Sequence, residues 1–442
     1  MTATPFDSAY LNKLFPTGDV GRLFSDSAEI RALMIVEGSL AKVQGARGVI
    51  PEISARAIHR ASLELQIDPA GLAGATGQNG VAIPALVAAF RELMQAPEHA
   101  QYIHWGATSQ DILDTGLMLR MRQVLAAYES ALRDTLAALA DLAEAHADLP
   151  MAARTYGQFA TPTSFGAVVA GWGWPLLQAL EQLEGLRAWA LWVSLSGAAG
   201  TSSALGPEAA QLRADLAEAL GLNDPGRSWH NDRSPIAALT DWMAGTALAL
   251  GKMGEDLILA TASETAELRL PGSGASSTMP QKQNPVAPSA LVALARHANG
   301  LAATLKGAVL HRQARDGAAW FTEWLTLPQL ALATAAALEH GRALARGVTP
   351  DAAAMASTLD RSGGAMMAEA LSFALAAQMP RPEAQAAVKA LAAKARETGA
   401  PLRDVALSAW PDLDPGLFDP ARQLGQAPAE AAGFARAARA AL

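Results

Sequence analysis

Residues 117–147 read LMLRMRQVLAAYESALRDTLAALADLAEAHA. The run contains neither proline nor glycine. Leu117, Met121, Val124, Leu125, Leu132, Leu136 and Leu139 recur at the spacing of one helix face. A periodic run longer than about 25 residues reads as a bundle helix. Segments 166–195, 235–265, 286–310 and 328–346 carry the same pattern, and Ala, Leu, Glu, Gln and Arg fill most of them. No long run alternates apolar and polar residues. The expected fold is therefore all-α, built on long packed helices. Gly-, Pro- and Ser-rich breaks lie at 70–83, 196–207, 221–235, 271–285 and 346–350. They suggest three parts: an N-terminal helical domain over 1–103, a central bundle over 104–346 and a small helical domain over 347–442. The uncharged stretch Tyr156–Leu180 is interrupted by Gln158, Thr161, Pro162, Thr163, Ser164 and Pro175, so it reads as a buried core helix and not a membrane span.

Composition narrows the function. The chain has 442 residues and a net charge of −8, with no basic stripe of the kind that binds nucleic acid. Apolar residues make up 51% and charged residues 17%, a balance that disfavours disorder and suggests surface buried in an oligomer. Cysteine is absent, which removes disulfides, thiolate nucleophiles and Cys-ligated metals. The start, MTATPFDSAY, lacks a signal-peptide pattern, so a cytoplasmic protein is expected.

Four stretches concentrate chemistry. The first, GSGASSTMPQKQNP at 272–285, joins a Gly/Ser loop to Lys282 and Asn284 just before a helix start, a combination suited to an anion. The spacing of a phosphate loop is missing. The second, YIHWGATSQDILDTG at 102–116, crowds His104, Thr108, Ser109, Gln110 and Asp111 at the start of the long helix. Ser109 could equally be an N-cap, and His104 a hydrogen-bonded core histidine. The third, ARTYGQFATPTSFG at 153–166, carries polar groups into an uncharged segment, where they need partners. The fourth, HRQARDGAAWFTEWLTLP at 311–328, sets Arg312 and Arg315 beside Asp316. Arg312 reads more readily as a solvated salt bridge, and Trp320 and Trp324 as core.

Together these stretches resemble the fumarase/aspartase superfamily, and the resemblance extends from GRLFSD at 21–26 to MAEALSFAL at 367–375. The 272–285 loop is similar to that family's signature with two residues inserted. The resemblance implies a three-part helical fold whose central bundle is shared by four subunits, with each active site drawing on three chains. It implies cofactor-independent chemistry on a small polycarboxylate without a metal, and no ligand cluster for a metal is visible. Ser276 and His104 would be its catalytic residues, with Ser276 the proton-transfer base and Ser277 its neighbouring alternative. Lys282, Asn284, Thr108, Ser109 and Arg315 would bind substrate carboxylates, joined by Thr155 and Gln158 from the third stretch.

Two positions depart from the family pattern. Where typical lyases carry a histidine in T-H-x-Q, this chain has Tyr156, and where its partner glutamate stands, seven residues after Lys282, it has Ser289. Lyases that expel hydroxide or an amine depend on such an acid–base pair, whose help is worth about 10²–10⁴-fold. A lactone opens by expelling a carboxylate, with a reference pKa near about 4, which leaves without prior protonation. The double change therefore favours the branch of the family that interconverts a carboxymuconate tricarboxylate and its lactone in aromatic-ring (protocatechuate) degradation. The alternative is adenylosuccinate lyase or a related succinate-forming lyase. A histidine expected after Glu383 and Ala384 is replaced by Gln385.

Overall fold

A computed structural model describes residues 4–272, 274–275, 279 and 282–442. The chain is mostly helical. Its long elements are α1 (Asp26–Ala46), α2 (Ser109–Ala145), α3 (Phe165–Ala190), α4 (Ser234–Ala260), α5 (Val286–Gly307) and α6 (Gly317–Gly347). A hairpin, β1 (Pro150–Thr155) and β2 (Gln158–Ser164), separates α2 from α3.

The long helix expected from 117 begins at Ser109, because polar residues that broke the apolar pattern form its first turn. α6 begins well before residue 328 and continues through Pro328. The reading of Tyr156–Leu180 as one core helix is corrected: residues 158–164 form a strand and the helix starts at Phe165. Pro162 and three β-tolerant Thr and Ser residues, 161, 163 and 164, lie in this strand. Its first residues are exposed, so no alternating apolar pattern announces it.

The chain divides into two compact units. The first comprises Met1–Ser130, Glu181–Leu248 and Leu294–Glu339. Here Ser25 caps α1, its hydroxyl accepting from the Ala28 N–H at 3.3 Å. α1 lies against the helix Glu52–Glu64 at glycines: a Cβ on Gly38 would meet Ser62 Oγ at 1.9 Å, and one on Gly45 would meet the Ala55 Cβ at 2.2 Å. Tyr128 on α2 donates its hydroxyl to the Ala331 carbonyl on α6 at 2.6 Å and stacks on Trp242 of α4 at 5.9 Å. Apolar burial supplies most of the cohesion, at about 25 cal/mol per Å².

The second unit comprises Ala131–Leu180, Ala249–Ala293 and His340–Leu442. Leu371, Leu375, Val388, Leu391 and Val405 pack together in its C-terminal helices. At α3, a Cβ on Gly173 would fall 2.0 Å from the Phe434 ring, so only glycine admits that ring. Near its turn the hairpin is tied by Arg154, which bonds both oxygens of the buried Glu267 at 3.0 and 2.9 Å.

Candidate active site

The first unit gathers His104, Thr108, Ser109 and Arg315, and buried carboxylates position them. α2 opens on one half of a capping box: the Thr108 N–H donates to the Asp111 carboxylate at 3.0 Å. Asp111 is fully buried and also accepts from Ser194 Oγ, from the Ser196 and Gly197 N–H groups, and lies 2.8 Å from His230 Nε2. One carboxylate thus fixes the 194–197 loop, His230 and the Thr108 turn together. A buried carboxylate with so many donors is fully satisfied.

Gln110 links this turn to Arg315. Its Oε1 accepts from Arg315 Nε at 2.7 Å, while its Nε2 donates to Asp114 at 3.1 Å and to the His230 carbonyl at 2.8 Å. A terminal nitrogen of Arg315 reaches Thr108 Oγ1 and the Ala198 carbonyl, each at 3.4 Å. The half-buried guanidinium lines a hollow of about 210 Å³ with Gln313 and Asp316. One edge is anchored, and the other terminal nitrogen has no acceptor among the described residues. The Ser109 hydroxyl likewise has no partner there, so the N-cap reading of Ser109 gives way to Thr108. The Arg315 cation beside the Thr108 hydroxyl at the start of α2 suits an anionic ligand.

Behind this layer, Arg233 bonds Asp114 at 2.8 and 3.0 Å and Glu323 at 2.8 and 2.7 Å, all fully buried. Burial pushes the Glu323 carboxyl upward, but the Arg233 charge, with hydrogen bonding from His311 and Arg233, outweighs this and holds it below the usual carboxylate range. The same pairing raises the Arg233 guanidinium against the opposing effect of burial.

His104 is held from α1. Its Nδ1 lies 2.7 Å from Oε1 of Glu37, a buried residue. Neither Glu37 nor this ion triad had a local motif. Their signal is a charge inside an apolar stripe: Ile30, Leu33, Glu37 and Ala41 share one buried face of α1, as Asp111, Asp114, Met118 and Met121 do on α2. Arg312 is exposed and pairs at 2.5 Å with Asp316, whose side chain is buried, so only the arginine end of the pair is solvated. Trp320 is buried, whereas Trp324 is partly exposed.

The second unit carries the rest. Thr155 and Gln158 flank the hairpin turn, both exposed. Tyr156 and Gly157 form the turn with φ of 52° and 74°, the left-handed pair that a two-residue hairpin needs. Tyr156 is fully exposed, at 105%. Lys282 is exposed, and Asn284 pairs with Gly274 across a short strand pair. Ser289 turns its hydroxyl back to the Pro285 carbonyl at 2.8 Å in the first turn of α5, so it completes its own helix start instead of replacing a carboxylate. Ser276, the expected base, and Ser277 lie outside the described residues.

The chain matches the Lyase family model over residues 26–300. It is 37% identical over 426 residues to a 3-carboxy-cis,cis-muconate cycloisomerase of Pseudomonas aeruginosa, covering 93% of each chain. It is 34% identical to a nitrosuccinate lyase of Streptomyces davaonensis, covering 96% of this chain and 94% of that one. Its fold superposes on the crystal structure of 3-carboxy-cis,cis-muconate lactonizing enzyme from Pseudomonas putida with a TM-score of 0.92 at 32% identity, covering 98% of this chain and 100% of the other.

Proposed function

The chain belongs to the fumarase/aspartase superfamily of lyases, and from that premise we propose that it interconverts 3-carboxy-cis,cis-muconate and 4-carboxymuconolactone. The observation that carries this reading is the paired loss at Tyr156 and Ser289. A tyrosine in a strained, exposed turn and a serine bonded to its own helix cannot act as a histidine–glutamate acid pair. The reaction must therefore expel a group that leaves as a stable anion.

In the opening direction, Ser276 takes the proton next to a carboxylate, the ring C–O bond breaks, and the lactone oxygen departs as carboxylate. In the closing direction, that carboxylate adds to the diene and Ser276 returns the proton. His104, Thr108, Ser109, Arg315, Lys282 and Asn284 hold the substrate carboxylates, with Thr155 and Gln158 beside them. Fixed cations and donors stabilise the aci-carboxylate as charge builds, and holding the attacking oxygen near its carbon supplies proximity. The same reading gives a cytoplasmic homotetramer in protocatechuate degradation, with sites shared between subunits. Among the described residues no helix is long and apolar enough to cross a membrane.

A second reading draws on the nitrosuccinate lyase match. A nitro group lost as nitrite also leaves as a stable anion, so Tyr156 and Ser289 do not exclude it. Adenylosuccinate, whose cleavage expels a nitrogen, is disfavoured by both residues. Purified protein is incubated separately with carboxymuconate, nitrosuccinate and adenylosuccinate and followed by ultraviolet absorbance. Turnover of carboxymuconate is expected, and turnover of either other substrate alone overturns the proposal. Tyr156→His is expected to change lactone turnover by far less than the roughly 10²–10⁴-fold that acid–base assistance supplies. A large gain in kcat would contradict the leaving-group argument.

A further inference from the structure

We infer that Glu37 is a positioning residue for His104, fixing its tautomer and keeping the ring a cation that receives a substrate carboxylate. The inference rests on the polycarboxylate reading of this site and names a residue that reading did not contain. Glu37 is 1% exposed, and its Oε1 lies 2.7 Å from His104 Nδ1. An ionised carboxylate only accepts, so the hydrogen sits on Nδ1 and Nε2 is the ring's outward atom. The second oxygen of Glu37 is buried with no partner among the described residues. His104 is therefore the only partner found there for a carboxylate removed from water, an arrangement that is costly unless the ring is charged.

The backbone supports the same conclusion. His104 has φ of 65°, a left-handed conformation that costs a non-glycine residue about 1–3 kcal/mol and persists only where the surroundings impose it. They do so on both sides: Gln44 Nε2 donates to the Trp105 carbonyl at 2.7 Å, and Arg91 donates to the Ile103 carbonyl at 2.9 Å. Gln44 stands two helical turns after Glu37 on the same buried face of α1, so one helix holds both the ring and the strained loop.

Three charges face the ring: Glu37 from α1, Asp111 from α2, and Arg91 from the helix Ile83–Met94. Burial disfavours the imidazolium, but the hydrogen bond and charge of Glu37, aided by Asp111 and opposed by Arg91, leave the ring raised above its ordinary value. His104 thus stays protonated to higher pH than a free histidine. Carboxylate binding through it is strong at low pH and weakens as pH rises through the raised value.

The test uses full-length protein with ¹⁵N-labelled histidine. Wild type is expected to show His104 protonated on Nδ1 and titrating above the reference of about 6.5; the His104→Asn spectrum assigns the signal. Glu37→Gln should move that titration down, and Glu37→Asp should largely retain it. With carboxymuconate, Glu37→Gln should raise KM roughly tenfold near pH 8, the low end of what a hydrogen bond to a charged group contributes. The difference should vanish below about pH 5.5, where the ring is protonated in either protein, and kcat should change little. An unmoved titration, a KM defect equal at every pH, or a loss confined to kcat overturns the inference. If Glu37→Gln does not fold, an ordinary titration in wild type, or a neutral form at high pH that carries its hydrogen on Nε2 and not on Nδ1, overturns it alone. The spectra need no substrate, so their outcome is independent of whether carboxymuconate is turned over.

Discussion

Ser276→Ala is expected to lower kcat for the lactone–muconate interconversion by about 10²–10⁴-fold, the usual contribution of a positioned proton-transfer group, and to leave the folded oligomer intact. Serine in water is a poor base. It serves only where donors stabilise its alkoxide, a task that the proposed reading gives to backbone N–H groups of the Gly/Ser run at 272–278. Replacing the hydroxymethyl group with methyl removes no carboxylate clamp, so KM should stay close to wild type. That split identifies a group acting on the transferred proton and not on binding. Ser277→Ala serves as the comparison and should retain near-normal kcat. Steady-state kinetics in both directions, with size exclusion to verify assembly, gives the answer. Wild-type kcat in Ser276→Ala overturns the assignment.

What could be read from the sequence depended on whether a residue's neighbours lie nearby in the chain. The bundle helices were legible because Leu117, Met121, Leu125 and Leu132 announce a helix face locally. The hairpin was not: β2 carries Thr161, Pro162 and Thr163, and its exposed first half has no apolar pattern to alternate. The turn at Tyr156–Gly157 also gave no warning, since tyrosine rarely adopts positive φ. For the site, Thr108, Ser109 and Arg315 came from resemblance, and the structure joins Thr108 to Arg315 across 207 positions of sequence. Glu37 went unread because a glutamate within MIVEGSLAKVQ looks like an ordinary helix-surface charge. Its burial becomes visible only when the apolar stripe around it is traced, and its partner lies 67 residues away.

Arg233→Met is expected to cost about 3–5 kcal/mol of stability, the range for removing one member of a buried ion pair. The guanidinium bonds two carboxylates that have no access to water, Asp114 and Glu323, and lies 4.8 Å over the Trp229 ring. Methionine fills much of the same volume, so the loss is mostly one of charge. Its pH dependence separates the two causes. In wild type the Glu323 carboxyl is depressed, with Arg233 outweighing burial, so its stabilisation is complete above the unfolded pKa and fades as pH falls through the folded value. Without Arg233, burial is opposed chiefly by His311, 3.7 Å from the carboxylate, so that carboxyl rises and the variant regains stability as the acid protonates. The gap between the two proteins should therefore be widest near neutrality and narrow toward about pH 4. Urea denaturation at several pH values measures it, and a gap constant with pH would mean lost packing and not unpaired charge. The double variant Arg233→Met with Glu323→Gln should recover part of the loss, because one stranded carboxylate is then neutral. Turnover should fall as well, since Asp114 holds Gln110 and Gln110 anchors Arg315. A variant that kept full activity while losing stability would show that the anchor on Arg315 does not depend on the triad behind it.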